Sequence, residues 1–268
     1  MNIGDKVGIV ACSNGLAVSQ REKIDQLCDT LMGIGLIPIL SKHLFAGETA
    51  FSGSGKERAE SLMDFYRNEE IKAIFDVSGG DMANEVLEYL DFDVISKSDK
   101  MFWGYSDLTT ILNVIYQKTG KPSVLYQARN LIGRKKDDLF DFSYEFVQGE
   151  SMEGIVVGGN IRCLLKLAGT EYWPDMTGKI LLLEAMSGTV PQMVTFLSQL
   201  KQLGVFQKVQ GILLGTFTKM EAEECVPSII DLVKMYAGEK LPIAKTQEIG
   251  HGADSKAILI GNERKFTR

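Results

Sequence analysis

Phe102-Trp103-Gly104-Tyr105-Ser106-Asp107-Leu108 carries an apolar strand pattern straight into a serine, and a helical pattern follows at once. Leu108, Ile111, Leu112, Ile115 and Tyr116 recur at i, i+3, i+4, i+7 and i+8, the apolar stripe of an amphipathic helix, with Gly120 placed to close it. A serine at such a junction sits at a sharp turn beside unpaired helix N–H groups, where negative charge is favoured. That suits a nucleophile elbow, although Leu108 stands where G-x-S-x-G has its second glycine. The local pattern alone favours a plainer reading, in which Ser106 and Asp107 cap the helix.

The histidines shift that balance. There are two, so a hydrolase that needs an imidazole base has little choice. His43, in Ser41-Lys42-His43-Leu44, has no catalytic context and is expected at the surface. His251 lies between Gly250 and Gly252, whose freedom lets a loop bring the ring close to other backbone. Without a partner serine it reads equally well as a surface-loop histidine. Glu184 ends the apolar run Ile180-Leu181-Leu182-Leu183, and a carboxylate at the end of a buried strand needs a partner. It suits the acid that orients an imidazole, or a structural ion pair with a lysine.

Two glycine pairs follow apolar runs. Ser78-Gly79-Gly80-Asp81 and Gly158-Gly159-Asn160 each offer backbone N–H groups to an oxyanion or phosphate, and each reads equally as a turn. Gly53-Ser54-Gly55-Lys56-Glu57 imitates a P-loop but fails, with Ala50 in place of the first glycine and Glu57 in place of Ser or Thr. No G-x-G-x-x-G opens a helix, and no His, Cys and carboxylate cluster has metal-ligand spacing. No cofactor and no metal are expected.

These residues need elements to hold them. Apolar runs at 7–11, 37–40, 71–77 and 101–105 alternate with helical patterns at 23–32, 58–66 and 84–90 and after Ser106. That rhythm predicts an α/β fold whose N-terminal half is a Rossmann-like parallel sheet flanked by helices, with ligands at the carboxyl ends of its strands. The chain turns polar beyond residue 130, with the charge cluster Arg134-Lys135-Lys136-Asp137-Asp138 read as a solvated loop. We expect an N-terminal domain over 1–130, a linker over 131–153 and a C-terminal mixed α/β domain over 154–268. The latter has strands near 155–157, 180–183, 211–214 and 257–260 and helices near 192–203 and 229–237.

Composition narrows the function. A chain of 268 residues with 45% hydrophobic and 24% charged residues can bury a large core. The net charge of -6, with scattered Lys and Arg, argues against nucleic acid or an anionic membrane as partner. A small or peptidic substrate fits better. We read no signal peptide and no bilayer-spanning run, and the four cysteines (Cys12, Cys28, Cys163, Cys225) lack CxxC spacing. Free thiols and a cytoplasmic location are expected.

Taken in order, the segments resemble the LD-carboxypeptidases and their relatives, the microcin C self-immunity peptidases. The resemblance rests on Gly4-Asp5-Lys6-Val7, on Gly79-Gly80 with Leu87-Glu88-Tyr89-Leu90-Asp91, and on Gly104-Tyr105-Ser106-Asp107-Leu108-Thr109. It continues through Gly158-Gly159-Asn160, Gly169-Thr170, Pro174-Asp175, Gly178-Lys179-Ile180-Leu181 up to Glu184, and Gly250-His251-Gly252. It implies a serine peptidase without metal, commonly a homodimer, whose active site lies between the two domains. By that resemblance Ser106 is the nucleophile, His251 the general base and then acid, and Glu184 its orienter. The resemblance also implies that the N–H of Asp107 and one from Gly79-Gly80 form the oxyanion hole and that Asn160 lines the substrate site; apart from it, Arg129, whose guanidinium could anchor a carboxylate, and Ser13 are expected at the substrate. Two departures stand out: Gln127-Ala128-Arg129 replaces a common Gly-Pro, and Cys12-Ser13 replaces Pro-Ser.

The implied substrate is a muropeptide losing a terminal D-alanine, in cell-wall recycling, or a peptidyl-nucleotide antibiotic, in self-immunity. Trp173 would suit stacking on a nucleobase, or simple packing. Two rivals from other classes are a non-catalytic ligand-binding module and a phosphate- or nucleotide-binding switch resting on the glycine loops.

Overall fold

A computed structural model describes residues 1–47, 49–134 and 138–268, and the chain forms two units, Met1–Asp137 and Asp138–Arg268. Of the charge cluster after residue 133, positions 135–137 lie outside the described residues.

In the first unit, β1 (Lys6–Val10), β2 (Ile37–Leu40), β3 (Ile71–Asp76), β4 (Met101–Gly104) and β5 (Ser123–Leu125) pair in parallel in the order β5-β4-β3-β1-β2. Val7, Ile9, Val10, Ile74 and Phe102 are buried, as near-continuous apolar strands between helical layers require. The helices are α1 (Arg21–Gly33), α2 (Gly55–Arg67), α3 (Phe92–Lys97) and α4 (Thr109–Thr119). Ser54 and Glu57 form a capping box that starts α2. This accounts for a glutamate where a P-loop needs a hydroxyl. Gly120 closes α4 in the left-handed conformation, φ 69°. The helix expected near 84–90 is 3₁₀ in form, over Ala83–Tyr89.

In the second unit, β7 (Ser151–Asn160), β8 (Lys179–Ala185), β9 (Gly211–Phe217) and β10 (Ile243–Lys245) are parallel. The sheet is closed by antiparallel neighbours, β12 (Glu263–Thr267) beside β7 and β6 (Glu145–Gln148) beside β10. This is the mixed α/β sheet expected for this half. β11 (Ile258–Ile260) precedes β12, and α5 (Ile161–Leu165), α6 (Val190–Gln202), α7 (Thr218–Ala222) and α8 (Ile229–Ala237) supply the helices. The stretch 131–153 thus contains β6 and the first residues of β7. β7 extends well before position 155 because exposed Ser151 and Glu153 alternate with buried Met152, a one-sided pattern against β12. Beyond Ile155 the strand pairs with β8 and is buried throughout.

Candidate active site

At the carboxyl end of β4, Ser106 adopts φ 54°, one of two non-glycine residues in the left-handed region among those described. Such a conformation costs roughly 1–3 kcal/mol and persists only where surrounding structure enforces it. The turn around it is tight. A Cβ at Gly104 would lie 2.7 Å from that of Leu108, so the turn closes on a bare backbone. The capping reading does not hold: the N-caps of the 3₁₀ turn Ser106–Leu108 and of α4 are Tyr105 and Leu108, and neither makes a side-chain cap.

The Asp107 side chain serves elsewhere. Fully buried, it accepts from the Ser13 hydroxyl at 2.6 Å and the Ala83 N–H at 2.8 Å. Ser13, expected at the substrate, is itself fully buried, and its Oγ also accepts from the Met82 N–H at 3.3 Å. Gly80, φ 129°, packs where a Cβ would fall 2.2 Å from Asn14 Oδ1, and that oxygen accepts from the Asp81 N–H at 2.9 Å. Gly79 joins in through its carbonyl, which accepts from Asn14 N–H at 3.3 Å. The glycine loop and the serine turn are therefore tied to one another through residues 13, 14 and 107.

Two further buried charges anchor this end of the sheet. Asp76, the last residue of β3, accepts from the N–H groups of Cys12 at 2.7 Å and Ser78 at 2.8 Å and from the Ser78 hydroxyl at 2.6 Å. Burial raises its carboxyl pKa, opposed by those same bonds. The Cys12 bond bears on a departure from the family pattern, since proline there would have no N–H to give. Burial, and then Asp76, also push the Cys12 thiol well up, so it is not a thiolate nucleophile.

Arg58, on the buried face of α2, donates to the carbonyls of Gly53, Cys12, Ser13 and Met82 and pairs with Glu85. Replacing it with leucine would remove the donor of the Gly53, Cys12 and Ser13 carbonyls and the charge that Glu85 pairs with, while the Met82 carbonyl keeps the Glu85 N–H at 3.1 Å. We expect Arg58→Leu to lower stability by about 3–5 kcal/mol in urea unfolding. A change within about 0.5 kcal/mol would show the network to be dispensable.

The second unit assembles its own group at the carboxyl ends of β7, β8 and β9. Glu184 is fully buried, and its Oε2 lies 2.6 Å from His251 Nδ1. An ionised carboxylate only accepts, so a bond to one requires the proton on Nδ1. A bulge makes the geometry. Leu183 faces Leu214 and Ala185 faces Phe217, so Glu184 alone opposes both Gly215 and Thr216. A Cβ at Gly215 would lie 3.1 Å from that of Glu184 and 2.4 Å from the Ile249 carbonyl. Thr216 N–H donates to that carbonyl at 2.8 Å, and Gly250, φ 148°, leaves no room for a Cβ beside Thr216 Oγ1. The glycine before His251 is thus a requirement of close approach.

Lys245 is buried. It donates to the Gly215 carbonyl at 3.0 Å and pairs with Glu221 at 2.9 Å, bracing the same bulge from β10. Asn160, in register with Glu184, is nearly buried and caps α5 by accepting from the Cys163 N–H at 3.3 Å. His43 departs from expectation, being half-buried with Nδ1 2.9 Å from the Ser52 carbonyl. Trp173 is half-buried. All four cysteines are free, and no group of His, Cys, Asp and Glu suited to a metal occurs among the described residues.

Two α/β units, one carrying a strained serine after a parallel strand and the other a buried Glu–His pair, mark the chain as a serine peptidase. It belongs to the LD-carboxypeptidase family: the family's N-terminal domain profile matches residues 7–126 and its C-terminal domain profile residues 153–266. The chain is 30% identical to a probable murein peptide carboxypeptidase of Bacillus subtilis, across 97% of this chain and 88% of that one. It is 26% identical to the microcin C7 self-immunity protein MccF of Escherichia coli, across 97% and 89%. In fold it is similar to MccF in complex with aspartyl sulfamoyl adenosine, with a TM-score of 0.89 at 22% identity over 100% and 94% of the chains. A muramoyltetrapeptide carboxypeptidase from Oxalobacter formigenes matches with a TM-score of 0.80 at 20% identity over 98% and 95%.

Proposed function

We propose that the enzyme hydrolyses an L,D-peptide bond of a muropeptide and releases the terminal D-alanine. Ser106 is the nucleophile, His251 the general base and acid, and Glu184 the group that orients it. The bond between Glu184 and His251 carries this reading, because a buried carboxylate that fixes the imidazole tautomer has a specific use in acyl transfer. The strained backbone of Ser106 supports it independently.

In this mechanism the Ser106 hydroxyl attacks the scissile carbonyl as His251 Nε2 takes its proton. The tetrahedral oxyanion receives hydrogen bonds from the N–H of Asp107 and from the Gly79-Gly80 loop. Collapse breaks the C–N bond, and the imidazolium protonates the departing amine of D-alanine. Water, deprotonated by His251, then attacks the Ser106 ester, and its cleavage returns the proton to Oγ. Glu184 stays ionised throughout and stabilises the imidazolium. Asn160 and Arg129 are assigned to substrate binding, and Ser13 to the support of Asp107.

The murein substrate is preferred because a relative carrying that name reaches 30% identity over nearly the full chain. The similarity to MccF favours a second reading, cleavage of an aminoacyl sulfamoyl nucleoside. The free thiols fit a cytoplasmic enzyme, and we take it to be a homodimer, as the resemblance implies. Incubating the protein separately with a free muropeptide tetrapeptide and with aspartyl sulfamoyl adenosine, followed by chromatography of products, distinguishes the readings. D-alanine from the first is the expected result. Turnover of the nucleoside alone would replace the muropeptide assignment.

A further inference from the structure

One guanidinium at the carboxyl edge of the first unit's sheet makes no hydrogen bond or ion pair among the described residues. Arg129 lies in the short 3₁₀ turn Ala128–Leu131 that follows β5. Its backbone N–H donates to Gln127 Oε1 at 3.4 Å, but its guanidinium makes no hydrogen bond or ion pair among the described residues. Two other arginines of this unit are committed. Arg58 is spent on carbonyls and Glu85, while Arg134 donates to the Tyr126 hydroxyl at 3.3 Å and lies over that ring.

The location matters. β4 and β5 are adjacent and parallel, with Gly104 opposite Leu125 and Tyr126 N–H donating to the Gly104 carbonyl at 2.8 Å. Ser106 leaves β4 two residues past Gly104, and Arg129 leaves β5 four residues past Leu125, at the same edge. Arg129 is half-buried there. Burial lowers its pKa, offset by Tyr105 and Asp76, the residues that end β3 or immediately precede Ser106. A guanidinium has five donors in a planar fork and stays charged, so leaving it half-buried and unpaired is costly unless an anion arrives to meet it. The fork matches a carboxylate with two parallel bonds.

We infer that Arg129 is the specificity residue for the free carboxylate of the substrate's leaving amino acid. The inference rests on the peptidase reading above and deepens it. It makes the substrate a peptide with an unblocked C-terminus, in preference to an amide-capped peptide or a nucleoside conjugate. Arg129 takes no part in proton transfer, so its loss acts on binding.

The test separates binding from turnover. Ser106→Ala protein is titrated calorimetrically with the muropeptide tetrapeptide and with its C-terminal amide, then again after adding Arg129→Gln or Arg129→Lys. The acid is expected to bind roughly 10- to 100-fold more tightly than the amide. That preference should vanish with glutamine and return in part with lysine. Should Arg129→Gln fail to fold, the Arg129→Lys ratio carries the test. Equal binding of acid and amide to the parent, no binding of either, or equal weakening of both by Arg129→Gln would overturn the inference. Failure of the peptidase reading shows separately, as no D-alanine released by otherwise wild-type protein.

Discussion

Glu184→Gln is expected to lower kcat for D-alanine release by about 10⁴-fold while leaving KM and folding nearly unchanged, the size seen when a triad acid loses its charge. The substitution is isosteric in a fully buried position, so packing is kept. What changes is the partner offered to His251 Nδ1. The carboxylate Oε2, 2.6 Å away, can only accept, whereas an amide can turn its NH₂ toward the ring and impose the other tautomer. Nε2 would then carry a proton and cease to be a base. The charge that stabilises the imidazolium is lost as well. Oε1 of Glu184 is buried without a hydrogen-bond partner among the described residues, so no second bond there would hold a glutamine in the productive orientation. Steady-state kinetics would check this. A loss below about 10-fold would show that the pair is structural, since an acid acting through the base costs far more.

How much of this is legible in the sequence differs by residue. The Ser106 turn could be read because an apolar strand and an apolar helical stripe meet at one residue, both local patterns. Its left-handed backbone could not, since no local pattern specifies φ at a serine, and the crowding that a Cβ at Gly104 would meet at Leu108 exists only once the turn has formed. Asp107 reads as a cap because Asp often caps, yet its partners are Ser13 and Ala83, far away in sequence. Glu184 and His251 are 67 positions apart, and no periodicity links them. Their pairing follows only from the family resemblance. Short and edge strands carry the least local signal. Ile243–Lys245 has three residues, and Glu263–Thr267 is mostly charged with only Phe266 buried. Arg58 left a usable signal: it shares the stripe of Leu62, Phe65 and Tyr66 at i, i+4, i+7 and i+8, so a charge on the buried face was visible before its partners were.

Ser106→Ala removes the atom on which the proposed chemistry depends. It also replaces a serine held at φ 54° by another L-residue, so the backbone strain is unchanged and the variant should fold as the parent does. What remains is whatever the oxyanion donors and substrate binding supply without a nucleophile, so the expected loss is about 10⁶-fold in kcat, as for removal of a triad serine elsewhere. The decisive measurement is D-alanine release from a free muropeptide tetrapeptide by wild type and by Ser106→Ala, at equal folded concentration. Release by wild type and none detectable from the variant is the predicted result. Equal release by both proteins would contradict Ser106 as the nucleophile, and with it the account of this enzyme as a serine carboxypeptidase.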